Sequence, residues 1–341
     1  MAAVAEAVLE REAPAALRTR KRMRILVIGS SNQWRMESGV ERALQRLGHN
    51  TALIDDRRAK QRLGLALAQK YARWKVRRFK PEFVIMGKCL GLTLDTVHDI
   101  LRGLPSAMWY MDAPWYQFID RPDVAHIKSV GHLAGTFFVN GFEQQWRALG
   151  LNAKYLPAAA DRDIRPVPPD PRFASDISFI GTGYDPGRAE LLLRLAEREK
   201  VKVWGTGWEQ WRERLDWSGR PVEGHDFARV CSSSKIVLGI NPQMMRDATN
   251  SASNRMWITT LGGGFYLGPG TPGIVSLMRD GVHCAWYRDE QELFEKARYY
   301  LSHDRERARV RQTGETFVRT HHTFDQRVIN LVNDREFVNP L

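Results

Sequence analysis

Cysteine is nearly absent from this chain of 341 residues: there are three, Cys89, Cys231 and Cys284, far apart in sequence. No two stand at metal-binding or redox spacing, which excludes a disulfide framework and a thiolate zinc site and leads us to expect a reducing, cytoplasmic setting. Long apolar runs are missing too, so no segment reads as a membrane span. Residues 1–22 alternate Ala, Glu and Arg without a secretory core and read as a mobile or loosely helical leader. Acidic residues are short in one region only. Residues 1–80 hold 19 Lys and Arg against 7 Asp and Glu, while the rest of the chain holds 32 of each. The net charge of +12 therefore belongs to the N-terminal quarter. Such asymmetry points to a polyanionic partner: nucleic acid, an anionic membrane surface or an acidic glycan. A solvated basic face without a partner is the alternative.

What is present is a globular composition, 43% hydrophobic and 26% charged, long enough for two domains. Met23–Gly29 is a short apolar strand; a polar loop with Ser30 and Asn32, a helix from Glu37 to Leu47 and a strand at Thr51–Ile54 follow. Strand, helix, strand in this order is a βαβ unit and implies a parallel sheet, whose ligands bind at the carboxyl edge. The loop is not a G-x-G-x-x-G fingerprint, so the dehydrogenase reading is weak. Residues 57–80 form a basic helix with Leu63, Leu67, Tyr71 and Trp74 on one stripe and Arg73 and Arg77 largely off it. Such a helix can lie on a membrane or along phosphates, but its default is to pack its stripe on the sheet. Further strands are expected at 81–86, 106–111, 135–140 and 153–157. Asp112 follows the second of these, ahead of Pro114, and is placed to act as a base with Trp115 and Tyr116 beside it. A simple capping role is its alternative.

Prolines at 166, 168, 169 and 171 mark a linker over 161–175. Asp161-Arg-Asp163 has a D-x-D spacing, but beside such a linker it does not justify a metal site. The second half repeats the pattern. Asp176–Ile180 is a strand, Gly181-Thr-Gly183-Tyr184 opens a glycine loop, and Arg188 starts a helix where its planar fork can hold a diphosphate. Val201-Lys-Val-Trp204-Gly205 and Lys235–Asn241 are strands. Asn250 to Gly268 then reads as a serine-capped helix, a three-glycine turn and a strand, and Asn254 and Arg255 put donors and positive charge at the helix start. Residues 299–320 are helical with a break near Ser302-His303, and a last helix starts at 321. Adjacent His321 and His322 point to different helix faces and are poor joint ligands.

These pieces together resemble the GT-B glycosyltransferases, α/β proteins with two facing Rossmann-like domains and a cleft between them. The C-terminal half resembles the spore-maturation-type family through Phe179–Tyr184 with Arg188, Ser234–Asn241, Ser253–Trp257 with Gly263-Gly-Phe265, and His322-Thr-Phe with Arg327. A looser likeness joins the chain to phage DNA β-glucosyltransferases through Tyr110–Pro114, Arg188 and the Arg255-x-Trp257 pair. With the leader over 1–22 and the linker over 161–175 read from composition, the resemblance implies an acceptor domain over 23–160, a nucleotide-sugar domain over 176–320 and a closing helix over 321–341. In both families Glu usually follows the aromatic residue and binds the donor ribose; here Ile258 stands there, and Asn250 replaces a Glu eight residues earlier.

The resemblance implies a glycosyltransferase that uses a nucleotide-sugar, UDP-sugar favoured, with Asp112 as general base. Gly181, Gly183, Tyr184, Arg188, Trp204, Gly205, Asn254 and Arg255 would bind the donor, Trp204 and Gly205 forming the base pocket. Ser30, Asn32, Arg73, Arg77, Trp115 and Tyr116 would bind the acceptor. No metal site and no tightly bound cofactor are expected, although free Mg or Mn can help product leave. DNA with hydroxylated bases is the favoured acceptor, ahead of an anionic envelope or lipid-linked glycan at a membrane. A non-catalytic nucleotide-sugar or DNA-binding protein is the rival, and Ile258 is its main support.

Overall fold

The computed structural model describes residues 22–113, 123–242, 245 and 248–341. Six strands make the first sheet: β1 (Arg24–Ile28), β2 (Asn50–Ile54), β3 (Phe83–Met86), β4 (Ser106–Tyr110), β5 (Thr136–Val139) and β6 (Ala153–Tyr155). Their order is β2-β1-β3-β4-β5-β6, and every pairing is parallel. Ile25 to Ile28 are fully buried because helices cover both faces of a parallel sheet, which is why β1 is a continuous apolar run rather than an alternating one. The two-residue period then sorts side chains into two cores. Leu26, Ile28, Val84, Met108 and Phe137 pack on one face; Ile25, Val27, Ile85, Trp109 and Phe138 pack on the other.

The second sheet comprises β7 (Ser175–Ile180), β8 (Val201–Trp204), β9 (Asp216–Trp217), β10 (Ser234–Leu238), β11 (Tyr266–Pro269) and β12 (Ala285–Tyr287). It runs β12-β11-β10-β7-β8-β9, again all parallel. The sequence places most of these strands. It misses β9 and β12 and the helices Leu94–Leu101, Asp123–Leu133 and Glu143–Ala148. The expected break near Ser302-His303 is real: one helix ends at Ser302 and the next starts at Asp304.

Between the sheets the chain crosses twice. Residues 161–174 run over the surface with a single 3-10 turn, Pro171–Phe173, tied down where Val167 and Asp170 backbone N–H groups donate to Ser232 and Ser233. The last helix, Phe324–Asn333, returns to the first domain. It starts with a capping box of Thr323 and Gln326, and Phe324 meets the edge of Trp109 at 6.0 Å. Arg327 is buried beneath it and donates to the carbonyl oxygens of Pro157 and Ala158. Asp161 and Asp163 belong to this junction: both pair with Arg42 and Arg46, and Arg46 also holds Asp325. The D-x-D spacing thus serves an ionic clamp between the first helix, the crossover and the last helix.

One element differs from expectation. The helix Asp56–Phe79 is kinked at Gly64, whose φ of +75° and ψ of 166° leave the helical region. Beyond the kink it rests on the sheet side through Ala68, Gln69 and Ala72. Of the stripe expected to pack, Tyr71 does so, but Leu63, Leu67 and Trp74 are 45%, 55% and 56% exposed. The helix starts on the body at buried Asp56, and around the kink at Gly64 the residues Gln61 to Leu67 are exposed in succession.

Candidate active site

The carboxyl ends of both sheets face a common cleft. One cavity, about 490 Å³, is lined by Gly87 and Lys88 after β3, by Tyr110 to Asp112 at the end of β4, and by Ile180, Val222, Glu223, Arg255 and Ile258 from the second domain. A second, about 1050 Å³, continues along Gly181, Thr182, Tyr184, Arg188, Asn241 and Ser253 to Arg255, with Asp112 and Asn140 opposite. Asn140 pins the domains together: its amide donates to Ala252 O at 2.9 Å and its carbonyl accepts from Ala158 and Ala252 N–H.

On the second-domain side, glycine brings backbone close to cations. A Cβ on Gly181 would lie 2.6 Å from an Arg255 nitrogen, and one on Gly183 would lie 2.3 Å from Gly207 O. Arg188 donates to Thr182 O at 2.8 Å and to Ile240 O at 3.1 Å, which fixes its guanidinium at the loop. Arg255 sits at the start of the helix Asn254–Leu261, capped by Ser253. The two guanidiniums lie 5.3 and 4.7 Å from the Phe179 ring centre. Arg255 has no carboxylate partner among the described residues, and burial lowers its pKa. A half-buried cation without a carboxylate partner among the described residues, beside another arginine and a helix N-terminus, is a site that favours a multiply charged anion.

Asp112 stands opposite. Lys88 Nζ donates to its Oδ2 at 2.5 Å and lies 5.5 Å over the Tyr110 ring. Deeper in the first domain is Glu37, which the sequence did not mark. Its side chain fills the space left by two glycines at neighbouring strand ends: a Cβ on Gly29 or Gly87 would lie 2.2 or 2.4 Å from it. Burial raises its pKa, against a backbone hydrogen bond that lowers it. The signal was available, since β1 and β3 are neighbours and both end in glycine.

A third cavity, about 1020 Å³, opens outward from Glu37 and Lys88 along Ser30, Asn32, Asp55 and Asp56 to Arg57, Arg58 and Arg62. Ser31 donates to Asp55 through N–H and hydroxyl at 2.8 and 2.7 Å. Burial pushes the Asp55 pKa up, but these bonds outweigh it and hold it low.

The structure thus brings Asp112, Gly181, Tyr184, Arg188, Asn254 and Arg255 to one cleft and Ser30 and Asn32 to its outer cavity. Gly183 supports the loop from behind. Other expected residues lie elsewhere. Trp204 lines none of these cavities; it is buried, stacked on Phe173 at 5.4 Å with its N–H near Ser178, because β8 turns it towards the helix Gly224–Ser233. Gly205 packs against Gly181 O and is likewise a close-approach position. Arg73 is paired with Asp99, and Arg77 is exposed away from the cavity; Arg57, Arg58 and Arg62 line it instead, because they sit where the helix leaves β2. Trp115 and Tyr116 lie outside the described residues.

The profile of the family described as "Glycosyl transferase-like" matches residues 188–333, the part of the chain that carries Arg188 and Arg255. The chain has the two-domain GT-B fold, and its second half resembles this glycosyltransferase-like family. Solved structures share the fold across both domains. Anabaena Alr3699/HepE in complex with UDP and glucose matches with a TM-score of 0.62 at 9% identity, over 92% of this chain and 100% of that one. An alpha-glucosyltransferase in complex with UDP and a 13-mer DNA containing a HMU base gives 0.65 at 10%, over 92% and 100%. Sucrose-phosphate synthase from Thermosynechococcus elongatus gives 0.61 at 10%, over 92% and 99%. No curated protein matches the sequence. Among the described residues no helix is long and apolar enough to cross a membrane.

Proposed function

We propose that this glycosyltransferase moves a sugar from a UDP-sugar to a hydroxyl acceptor across the cleft. The observation that carries the reading is Arg255, half-buried beside Arg188 over Phe179 with no carboxylate partner among the described residues. The diphosphate supplies the missing negative charge, and Gly181 lets it approach the backbone. UDP bound to two of the fold neighbours supports uridine as the base. Asp112 takes the acceptor proton, the acceptor oxygen bonds to the anomeric carbon, and the carbon–oxygen bond to the diphosphate breaks. Arg188, Arg255 and nearby N–H groups stabilise the departing charge. A direct displacement of this kind inverts the anomeric configuration.

Ile258 lines the smaller cavity with Val222 and Phe227 and cannot accept the ribose hydroxyls. Glu223 lines the same cavity and is the second domain's carboxylate there among the described residues. It pairs with Arg35 across the cleft at 3.1 Å. Glu223 takes the ribose role when the donor enters. This replacement separates an active enzyme from the non-catalytic rival, for which Ile258 marks a lost site.

The acceptor occupies the outer cavity of the first domain. A hydroxylated base in DNA fits the DNA-bound neighbour and the basic N-terminal quarter. A lipid-linked or anionic envelope glycan fits the same charge and the uncovered leucines beside the cavity. Calorimetric titration with UDP, GDP and TDP tests the donor reading: tight binding of UDP, weakened in Glu223→Gln, is expected. Absence of binding by any nucleoside diphosphate would overturn it.

A further inference from the structure

The kinked helix carries a surface that the cleft does not use. Leu63, Leu65 and Leu67 are 45%, 49% and 55% exposed, and Trp74 follows at 56%. Isolated exposed leucines are ordinary, but three within five residues around a helix kink are not. The helix Asp56–Phe79 and Lys80 hold ten Lys and Arg and a single acid, Asp56, which is buried. Arg58, Lys60, Arg62 and Lys70 flank the leucines and are exposed. Gly64 breaks the helix in the middle of this apolar group, so the leucines form a knuckle rather than a stripe. Arg62 lines the outer cavity and directly precedes Leu63, which puts the knuckle at the cavity mouth.

We propose that this knuckle inserts into an anionic lipid surface and brings the cavity mouth to a membrane-borne acceptor. The choice of acceptor rests on the glycosyltransferase reading; the docking itself does not. Charge complementarity selects the occupant. An aliphatic group ringed by Lys and Arg suits an interface with apolar depth below and negative headgroups above. A phosphate backbone would use the cations and leave the leucines in water. The masking of a second copy's apolar face would gain nothing from ten like charges on each side.

Sedimentation with vesicles tests this in the full chain. We expect binding to phosphatidylcholine vesicles containing phosphatidylglycerol and little binding to phosphatidylcholine alone. The triple variant Leu63→Asn, Leu65→Asn, Leu67→Asn should weaken binding by at least about tenfold, since each leucine loses apolar contact area. The UDP-induced thermal shift of that variant should match the wild type, which shows that it folds and keeps the donor site. Three results would overturn the proposal: no binding to the anionic vesicles, vesicle binding indifferent to the leucines, or a dimer that the triple variant dissociates. Tighter salt-sensitive binding to duplex DNA, unchanged by the triple variant, would overturn it in favour of nucleic acid. Vesicle binding without any UDP shift would leave the docking surface standing and remove the transferase reading.

Discussion

The two walls of the cleft arrange their charges differently. The second domain presents Arg188 and Arg255 behind a glycine loop with Glu223 nearby, whereas the first presents Glu37 and Asp112 beside Arg35 and Lys88, and Asp55 and Asp56 with Arg57, Arg58 and Arg62 in the outer cavity. Net charge alone does not show this mixture, because the first domain carries the basic excess and the second is close to neutral. The excess lies on an exposed helix and a cavity rim, where it attracts partners at a distance. The arginines that matter for a leaving diphosphate are few, Arg188 buried and Arg255 half-buried, where water weakens them less. Bulk charge reports on what the surface meets; the site's chemistry is set by a handful of desolvated groups.

Substitutions can break this division of labour. Asp112→Asn should lower kcat by about 10²–10⁴, the range for loss of a general base, with UDP affinity unchanged. An equal fall in UDP affinity would place Asp112 on the donor side instead. Arg255→Met keeps the stem and removes the charge. UDP affinity measured by calorimetry should drop about 100-fold, given two charge-assisted hydrogen bonds of about 1.5 kcal/mol each. Trp204→Ala sharpens the boundary between site and core. It should destabilise the fold by about 3 kcal/mol in denaturant titrations while the residual folded protein binds UDP as before.

Glu37→Gln tests the buried acid of the first wall and has the smallest expected effect. Its folded pKa is raised above the ordinary 4.5, burial being the main cause. The wild type therefore gains relative stability below pH 4.5 and loses it as pH rises through the raised value. Replacement by Gln should make the protein more stable than wild type at pH 7, with the difference vanishing below pH 4.5. A variant less stable at pH 7 would show that the ionised carboxylate is held by Lys88 rather than opposed by burial.

Much of the fold was legible because parallel strands buried on both faces leave unmistakable apolar runs, as in Met23–Gly29 and Asp176–Ile180. The glycine loop with Arg188, and Arg255 behind a serine cap, were legible for a similar reason: local backbone rules require those residues at helix starts. Side-chain direction was not. Trp204 and Arg255 both stand near strand or helix ends rich in site-like residues, yet one enters the core and the other the cleft. Which it is depends on the sheet face and on the helix Gly224–Ser233, a contact between distant segments.

The sequence by itself determined the two βα domains, the crossover, the asymmetry of charge and the residues at the carboxyl edges, since each depends on period, composition or local backbone chemistry. Only the tertiary structure decided which of those residues meet. It paired Asp161 and Asp163 with arginines, put Lys88 on Asp112, sank Glu37 between two glycines and set Glu223 in the cavity that Ile258 lines. It also turned Leu63, Leu65 and Leu67 outward at Gly64. These outcomes rest on contacts between segments far apart in the chain, and the local pattern of a sequence does not encode distance in space.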